Sequence, residues 1–136
     1  MIYYIQESAK NKKDTIKINI YGRKFELNIR YQKYTGEEII ESQYDAVSKF
    51  KHANIDSSLD KVKKFIIKDS KDYSNHPIDS IDNIFKYIKP KYLFVPRDDK
   101  GIVAIMCDYK IDFEHGLAIV FKNGSFTDVG TQDIIL

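Results

Sequence analysis

The stretch GIVAIMCDYKIDFEHGLAIVFKNGSFTDVGTQDIIL, residues 101–136, decides the fold that the sequence predicts. It contains two apolar runs, residues 102–107 and 117–121, which have the length and composition of buried strands. A polar segment, residues 108–116, joins the two runs, and Asn123-Gly124 follows the second. Asn-Gly between apolar segments is typical of a two-residue type I′ turn, because both central positions need φ > 0. We therefore predict two central strands of one sheet and a closing hairpin.

Alternating apolar residues predict a second hairpin near the amino terminus. Isoleucine occupies every second position over residues 16–20, and apolar residues alternate again over residues 25–31. This period of two places one face of each strand on a core and the other in solvent. Gly22-Arg23 lies between the two runs and predicts a type II′ turn, with glycine at the first central position. A short apolar run at residues 2–5 predicts a further edge strand.

Three segments in the middle of the chain predict helices. The first helix is expected within residues 38–51, after a capping-box pattern at Thr35-Gly36-Glu37-Glu38. The second is expected to start at the pattern Ser57-x-x-Asp60 and has an apolar stripe of helical spacing. The third is short, spans residues 81–88, and is expected to stop at Pro90, because proline breaks a helix interior.

Together these patterns predict an α+β fold. We expect an antiparallel sheet of about five or six strands, made of both hairpins and of strands at residues 91–95 and 102–107. Two or three helices should pack on one face of this sheet. A chain of 136 residues is long enough to bury one core but too short for two independent ones. We therefore predict a single domain spanning residues 1–136.

The formal net charge of +2 is too small to favour a nucleic-acid partner. Its distribution is uneven: residues 1–34 carry eight Lys or Arg against three Asp or Glu, whereas residues 101–136 carry two against five. The lysines beside the apolar stripe of the second helix are interpreted as its solvated side, because a packed surface helix normally has a charged face. We predict no nucleic-acid partner.

The compartment is predicted from cysteine usage and hydropathy. Cys107 is the single cysteine and lies in an apolar run, so a disulfide within the chain and a Cys-rich zinc site are excluded. The amino terminus lacks the charged and apolar regions of a secretory signal. No apolar stretch approaches the roughly 18 residues that a membrane span requires. We predict a cytoplasmic protein that does not bind a membrane.

Polar residues concentrate between the two buried runs. Asp108, Asp112, Glu114 and His115 lie there, followed by Gly116. An EF-type calcium loop needs an early glycine and ligands at alternate positions, which this segment lacks. A transition-metal site needs a further ligand from elsewhere. We favour a structural role, in which short acidic side chains bond to the backbone of a tight connection and Gly116 supplies φ > 0. No metal or cofactor is predicted.

Sequence patterns of common enzyme classes do not occur in the chain. It contains no G-x-S-x-G, P-loop, G-x-G-x-x-G or H-E-x-x-H pattern. Glu114 and His115 are adjacent, and neighbours on a strand point to opposite faces, which argues against a shared acid–base site. We predict that the protein is not an enzyme. The alternatives are a metal-dependent or acid–base enzyme centred on the Asp108–His115 segment, or a general ligand-binding or scaffold domain.

The order C-D-x-x-x-D-x-E-H-G-L, followed by V-G-x-Q-D and an apolar end, resembles a family of small bacterial proteins of unknown function. The residues that carry the resemblance are Cys107, Asp108, Asp112, Glu114, His115, Gly116, Leu117, Phe121, Gly124, Val129, Gly130, Gln132 and Asp133. The resemblance implies a compact α+β domain that this motif closes. It also implies an immunity protein of a bacterial toxin system.

Such an immunity protein blocks its cognate toxin by direct binding, so it needs a complementary surface and no catalytic residues. The acidic carboxyl-terminal face would suit a basic toxin such as a nuclease. We therefore predict a cognate toxin as the partner, and a protein that is itself a monomer or a weak homo-oligomer. The predicted partner-binding residues are Asp108, Asp112, Glu114, His115, Asp128 and Asp133.

Overall fold

Alternating apolar residues form strands near the amino terminus, continuous apolar runs form strands in the carboxyl-terminal half, and the segment between them contains the helices. The computed structural model describes the backbone of residues 2–6 and all of residues 14–136. Over these residues the strands are β1 (Ile2–Gln6), β2 (Thr15–Ile20), β3 (Arg23–Tyr34), β4 (Ile88–Val95), β5 (Ile102–Tyr109), β6 (Leu117–Lys122) and β7 (Ser125–Gly130). The α-helices are α1 (Glu41–Phe50) and α2 (Leu59–Tyr73).

These seven strands belong to one sheet with the order β1-β3-β4-β5-β6-β7. β2 pairs with residues 23–28 of β3, and β1 pairs with residues 30–34 of the same strand. Both lie on one edge of β3, because β4 occupies the other edge at residues 28–31. The sheet is therefore six positions wide, with β1 and β2 sharing one position. This arrangement confirms the α+β class and the prediction of about six strands.

One pair of strands differs from the antiparallel arrangement that the sequence predicted. β3 and β4 run parallel, with Asn28 opposite Tyr92 and Tyr31 opposite Val95. The other pairs among the described residues are antiparallel. Parallel neighbours need a long crossover connection, and here it contains both α-helices. Hairpin signals report only neighbours along the chain, so they carry no information about this pair.

Both predicted hairpins are confirmed, and both close with type I′ turns. In the second hairpin the central residues are Asn123-Gly124, with φ angles of 52° and 83°. In the first they are Tyr21-Gly22, with φ angles of 51° and 87°, so the predicted type II′ turn centred on Gly22-Arg23 is wrong. Tyr21 is held in this conformation by its N–H, which donates to Asp56 Oδ1 at 2.9 Å, and by its hydroxyl, 2.8 Å from Ser58 Oγ.

The first two predicted helices form, although α1 starts later than its predicted capping box. Residues 35–36 make a turn, with Gly36 at a φ of 83°. Gln43 supplies the cap, because its Oε1 accepts the Ile40 N–H at 3.1 Å. α2 follows a short 3₁₀ turn at residues 55–58, close to its predicted start. Neither of these two helices is long and apolar enough to cross a membrane.

The predicted third helix over residues 81–88 is wrong. Only a 3₁₀ turn forms there, at Ile84–Lys86, and Asn83 caps it by accepting a backbone N–H at 3.0 Å. Ile88 begins β4, and Pro90 lies inside that strand at an irregularity in its pairing with β5. Proline has no N–H to donate, and such irregular positions tolerate it. The isoleucine spacing fits a helix, but pairing with β5 decides the structure.

Apolar side chains pack on both faces of the sheet. The larger cluster joins both helices to one face, as predicted, and includes Phe50, Ile66 and Phe121, each exposed by 1% or less. The rings of Phe50 and Phe121 meet edge to face, with centroids 5.3 Å apart. The cluster on the opposite face consists of Phe94, Ala104, Met106, Ala118 and Val120. Strands β4 to β6 are therefore buried on both faces, which explains their continuous apolar runs.

Gln43 of α1 is fully buried and fastens this helix to the sheet. Its Nε2 donates to the carbonyl of Gln32 at 2.8 Å and to the carbonyl of Val95 at 3.1 Å. Gln32 lies two residues before the end of β3, and Val95 is the last residue of β4. One side chain therefore joins the start of α1 to both strands of the parallel pair.

Candidate partner-binding site

The connection between β5 and β6, residues 110–116, is a tight turn that we call the β5–β6 corner. The Gly116 N–H donates to the Asp112 carbonyl at 2.9 Å, and Gly116 has a φ of 64°. Asp112 Oδ1 accepts the His115 N–H at 3.1 Å, and His115 Nδ1 lies 2.9 Å from Asp112 Oδ2. The predicted bonding of an acidic side chain to the backbone of this connection is therefore confirmed.

Gln132, just after β7, holds this corner closed. Its Nε2 donates to the Cys107 carbonyl at 3.1 Å, and its backbone N–H donates to the His115 carbonyl at 3.1 Å. Glycine is required at position 116, because a Cβ there would lie 2.5 Å from Gln132 Nε2 and 3.0 Å from the Cys107 oxygen. The end of β5 and the start of β6 are thus fastened to the last turn of the chain.

Helix α2 lies against the same corner. The Tyr109 hydroxyl donates to Asp69 Oδ2 at 2.7 Å, and the rings of Phe65 and Tyr109 have centroids 6.4 Å apart. Burial raises the pKa of the Tyr109 hydroxyl, and the hydrogen bond to Asp69 raises it further. The hydroxyl therefore stays protonated at neutral pH and can donate. This bond fixes the carboxyl-terminal half of α2 beside β5.

An open groove with a volume of about 750 Å³ lies between α2, the β5–β6 corner and the end of β7. We call it the corner groove. The polar and exposed side chains of its lining are Asp69, Tyr73, Asp112, His115, Asp128 and Ile134. Three of the residues predicted from the sequence, Asp112, His115 and Asp128, are thus brought together in one place.

Exposed apolar side chains accompany these carboxylates. Tyr73 is 80% exposed and Ile134 is 44% exposed. Phe113, in the β5–β6 corner, is 75% exposed. Large apolar side chains on the surface, and aromatic ones in particular, are typical of protein-binding sites. The corner groove therefore combines aromatic contact area with negative charge.

The neighbouring carboxylates raise the pKa of His115 above its ordinary value of 6.5. The hydrogen bond with Asp112 is the largest cause and the charge of Asp112 the second. The charges of Glu114 and Asp133 act in the same direction. His115 therefore keeps its proton to a higher pH than a free imidazole, although its side chain is 54% exposed.

The other three predicted residues lie outside the lining of the corner groove. Glu114 is exposed in the β5–β6 corner, and Asp133 accepts a hydrogen bond from the Thr131 hydroxyl. Both are near enough to act on the pKa of His115. Asp108 is exposed and belongs to the other face of the sheet, where its Oδ2 lies 3.8 Å from Lys91 Nζ. The structure therefore separates Asp108 from the groove.

Three carboxylates, those of Asp69, Asp112 and Asp128, line the groove, and a proton on His115 offsets the charge of one of them. Within residues 14–136, no group of three or more His, Cys, Asp or Glu side chains is placed to hold a metal ion. The Asp112–His115 pair can hold or exchange a proton. Cys107 is fully buried, and burial raises the pKa of its thiol, which does not suit a nucleophile.

Asp69 and Tyr73 are the groove residues that sequence reasoning missed. They follow Phe65 at intervals of four residues, so the three side chains lie on one face of α2. That spacing could have indicated that these side chains share one face of α2. It does not indicate which surface the face meets, because the contact of α2 with the corner depends on the packing of distant segments.

Comparison with known proteins identifies a family. The family model described as "Domain of unknown function (DUF6985)" matches residues 3–136. This match covers nearly the whole chain, so the chain belongs to that family, and the prediction of a family of unknown function is confirmed. No curated protein and no solved structure matches the chain.

Proposed function

We propose that this member of a family of unknown function is an immunity-type binding protein, which neutralises a cognate bacterial toxin by direct protein–protein binding at the corner groove. The observation that carries the proposal is the position of three carboxylates and the 80% exposed Tyr73 on one open groove. The choice of a toxin as the partner rests on the resemblance of the carboxyl-terminal sequence pattern to a family of small bacterial proteins of unknown function, which implies an immunity role.

The shape of the corner groove favours a protein over a small molecule. Sites for small molecules are concave and enclose most of the ligand surface. Here Tyr73 and Ile134 stand out from the surface at 80% and 44% exposure. Tyrosine offers a large contact area with few rotatable bonds, so ordering it costs little entropy. Such a side chain is a good central anchor for a protein interface.

The charge of the groove favours a basic segment of the partner. Asp69, Asp112 and Asp128 can each accept hydrogen bonds from lysine or arginine, and opposite charges also accelerate association. A toxin that acts on nucleic acid has a basic active-site surface, because its substrate carries one negative charge per phosphate. An acidic groove that covers this surface would exclude the substrate without any catalytic step.

The first test is capture of the partner by the tagged protein from the bacterium that encodes it, at moderate salt. We expect one protein at near-equal stoichiometry, identified by mass spectrometry. Production of that protein in a sensitive bacterium should stop growth, and co-production of this chain should restore it. An empty capture while the bacterium makes its toxins would contradict the proposal, and so would a captured protein that has no toxicity.

The second test asks whether the corner groove is the binding surface. We expect Tyr73→Ala to weaken binding of the captured partner by at least about 2 kcal/mol, or roughly 30-fold, because it removes a central aromatic anchor. Asp128→Asn should weaken binding less and should reduce its dependence on salt. Titration calorimetry measures both effects.

Matched controls for these variants lie on α1. Tyr44→Ala removes a 49% exposed tyrosine from the other helix, and Asp45→Asn removes an exposed carboxylate. Both controls should bind the partner as the unmodified protein does. If Tyr73→Ala binds as tightly as Tyr44→Ala, the partner uses another surface and the corner groove is not the site.

A further inference from the structure

The outer edge of β2 carries an inference that is independent of the corner groove and goes beyond the proposed function. Within the described residues, β2 pairs with β3 on one side and with no strand on the other. The open side of an edge strand presents unpaired N–H and C=O groups, which form a template for another strand. Sheet edges therefore associate unless charge, proline or cover prevents it.

The side chains of β2 leave this edge well suited to pairing. Ile16 and Ile20 are buried, at 5% and 0% exposure, but Ile18 between them is only partly buried. Ile18 faces the core, where it lies opposite the partly buried Phe25 of β3. A groove of about 720 Å³ borders this part of the strand. Apolar cover added at the centre of the edge would therefore remove more apolar surface from water than cover added at Ile16 or Ile20.

We propose that β2 is a self-association edge, at which a second copy of this chain adds its own β2 in antiparallel pairing about a two-fold axis through Ile18. Ile18 then lies opposite Ile18 of the second copy, and Ile16 lies opposite Ile20. The two sheets become continuous, and both helix layers lie on the same face.

Charge and face selection favour this register over pairing centred on Lys17 and over a shift by one residue. Pairing centred on Lys17 would place two like charges directly opposite each other, which destabilises a sheet. A shift by one residue relative to the partner strand would place Lys17 among the isoleucines. Pairing centred on Ile18 places each Lys17 opposite an exposed Asn19 of the other copy. It also keeps the apolar residues together.

Lys17 is the residue that would otherwise protect this edge, because lysine on an edge strand discourages association. Its partner on β3 is Glu26, directly opposite in the register. This carboxylate offsets the lysine charge within the same chain. The Ile18-centred register is therefore complementary to itself at positions 17 and 19. Lys24, opposite Asn19 on β3, and Lys51 beside the groove remain positive, and this charge opposes association of two copies.

The pairing is expected to be weak. Five residues of one strand bury much less than the roughly 1,200 Å² of a standard stable interface. We expect a dissociation constant between about 10 µM and 1 mM, a range that sedimentation equilibrium resolves.

Opposite charges at position 19 test the proposal. Asn19→Lys places a lysine opposite Lys17 twice per dimer, so the dissociation constant should rise about threefold to thirtyfold. Asn19→Glu creates two attractive pairs, so the constant should fall by a similar factor. The controls Asn75→Lys and Asn75→Glu change the same charges at an exposed position in the loop after α2, and neither should shift the constant.

A cross-link tests the register directly. In the proposed pairing, Ile18→Cys places two cysteines opposite each other within the Cα separation that a disulfide needs. Oxidation should link this variant into dimers, and the native Cys107 is buried and should not interfere. Asn75→Cys, at an exposed position in the loop after α2, should give no comparable link.

Three results would overturn the proposal. One is a protein that stays monomeric up to about 1 mM, where a dimer with a dissociation constant of that size would be visible. A monomer whose β2 amides resist hydrogen exchange would show that another part of the chain covers the edge. A dimer that responds equally to Asn19→Lys and Asn19→Glu would place the interface elsewhere.

Discussion

At the scale of single residues, the pair formed by Asp112 and His115 links the shape of the β5–β6 corner to pH. Asp112 accepts the His115 backbone N–H at 3.1 Å and approaches its ring nitrogen at 2.9 Å. The pKa of His115 is raised by this bond and by the charge of Asp112. A folded-state pKa above the unfolded value means that the folded state binds the proton more tightly, so protonation stabilises the fold.

We expect this stabilisation to be fully present below about pH 6.5, the unfolded pKa of histidine, and to be lost as the pH rises through the raised pKa. Asp112→Asn keeps an oxygen for the backbone bond but removes the charge. The difference in melting temperature between the unmodified protein and this variant should therefore shrink as the pH rises from 6 to 9. An NMR titration should give a lower pKa for His115 in Asp112→Asn, and an unchanged pKa would contradict the assignment.

Gln132 and Gly116 form a second coupled pair. Gln132→Ala removes the bond to the Cys107 carbonyl, so we expect a loss of about 1–3 kcal/mol in the free energy of unfolding. Gly116→Ala should also destabilise, because its φ of 64° is strained for alanine and the added Cβ would displace the Gln132 amide. The loss in the double variant should be smaller than the sum of the two single losses, because both substitutions remove the same bond.

Urea denaturation of the two single variants and the double variant measures this coupling. Glu114→Ala changes an exposed side chain of the same corner, and it should shift the free energy of unfolding by no more than about 0.5 kcal/mol. Fully additive losses in the double variant would show that Gly116 and Gln132 act separately.

At the scale of elements, α1 depends on one buried side chain for its position. Gln43 donates to the carbonyls of Gln32 and Val95 and accepts the Ile40 N–H. Gln43→Leu keeps the size of the side chain but leaves these three backbone groups without the bonds that Gln43 provides. We expect a loss of about 2–4 kcal/mol in the free energy of unfolding, measured by urea denaturation.

The control for this variant is Ser48→Ala, on the exposed side of α1, which should change the free energy of unfolding by no more than about 0.5 kcal/mol. If Gln43→Leu lost no more stability than Ser48→Ala, the hydrogen bonds of Gln43 would make no net contribution to the stability of the fold.

The elements also show which parts of the structure were predictable from the sequence. Both hairpins followed from local chemistry, because a turn and two alternating segments are close in the chain. The start of α1 was missed because the cap comes from Gln43, three residues into the segment, and not from Thr35. The helix expected over residues 81–88 failed because Ile88 and Pro90 are recruited into β4 by pairing with β5. Tertiary pairing overrides local spacing at such positions.

At the scale of the whole molecule, the fold distributes the acidic residues of the carboxyl-terminal segment over two different surfaces. The carboxyl-terminal carboxylates Asp112 and Asp128 meet Asp69 of α2 in the corner groove, whereas Asp108 lies on the other face beside Lys91. The sequence predicted an acidic end but could not sort its carboxylates by face, because the sorting depends on the register of β5 and on the packing of α2. The β2 edge lies at the opposite side of the sheet order from β7. The two proposed surfaces can therefore be tested separately.

The parallel pairing of β3 with β4 has a consequence for the order in which the chain folds. The β2–β3 hairpin and the meander of β4, β5, β6 and β7 close short loops, which form quickly. β3 meets β4 only when the whole helical connection has been spanned, and that closure costs more entropy. We expect these two blocks to fold first and to join along β3 and β4 last. During synthesis, β3 therefore has no parallel neighbour until residues 88–95 have left the ribosome.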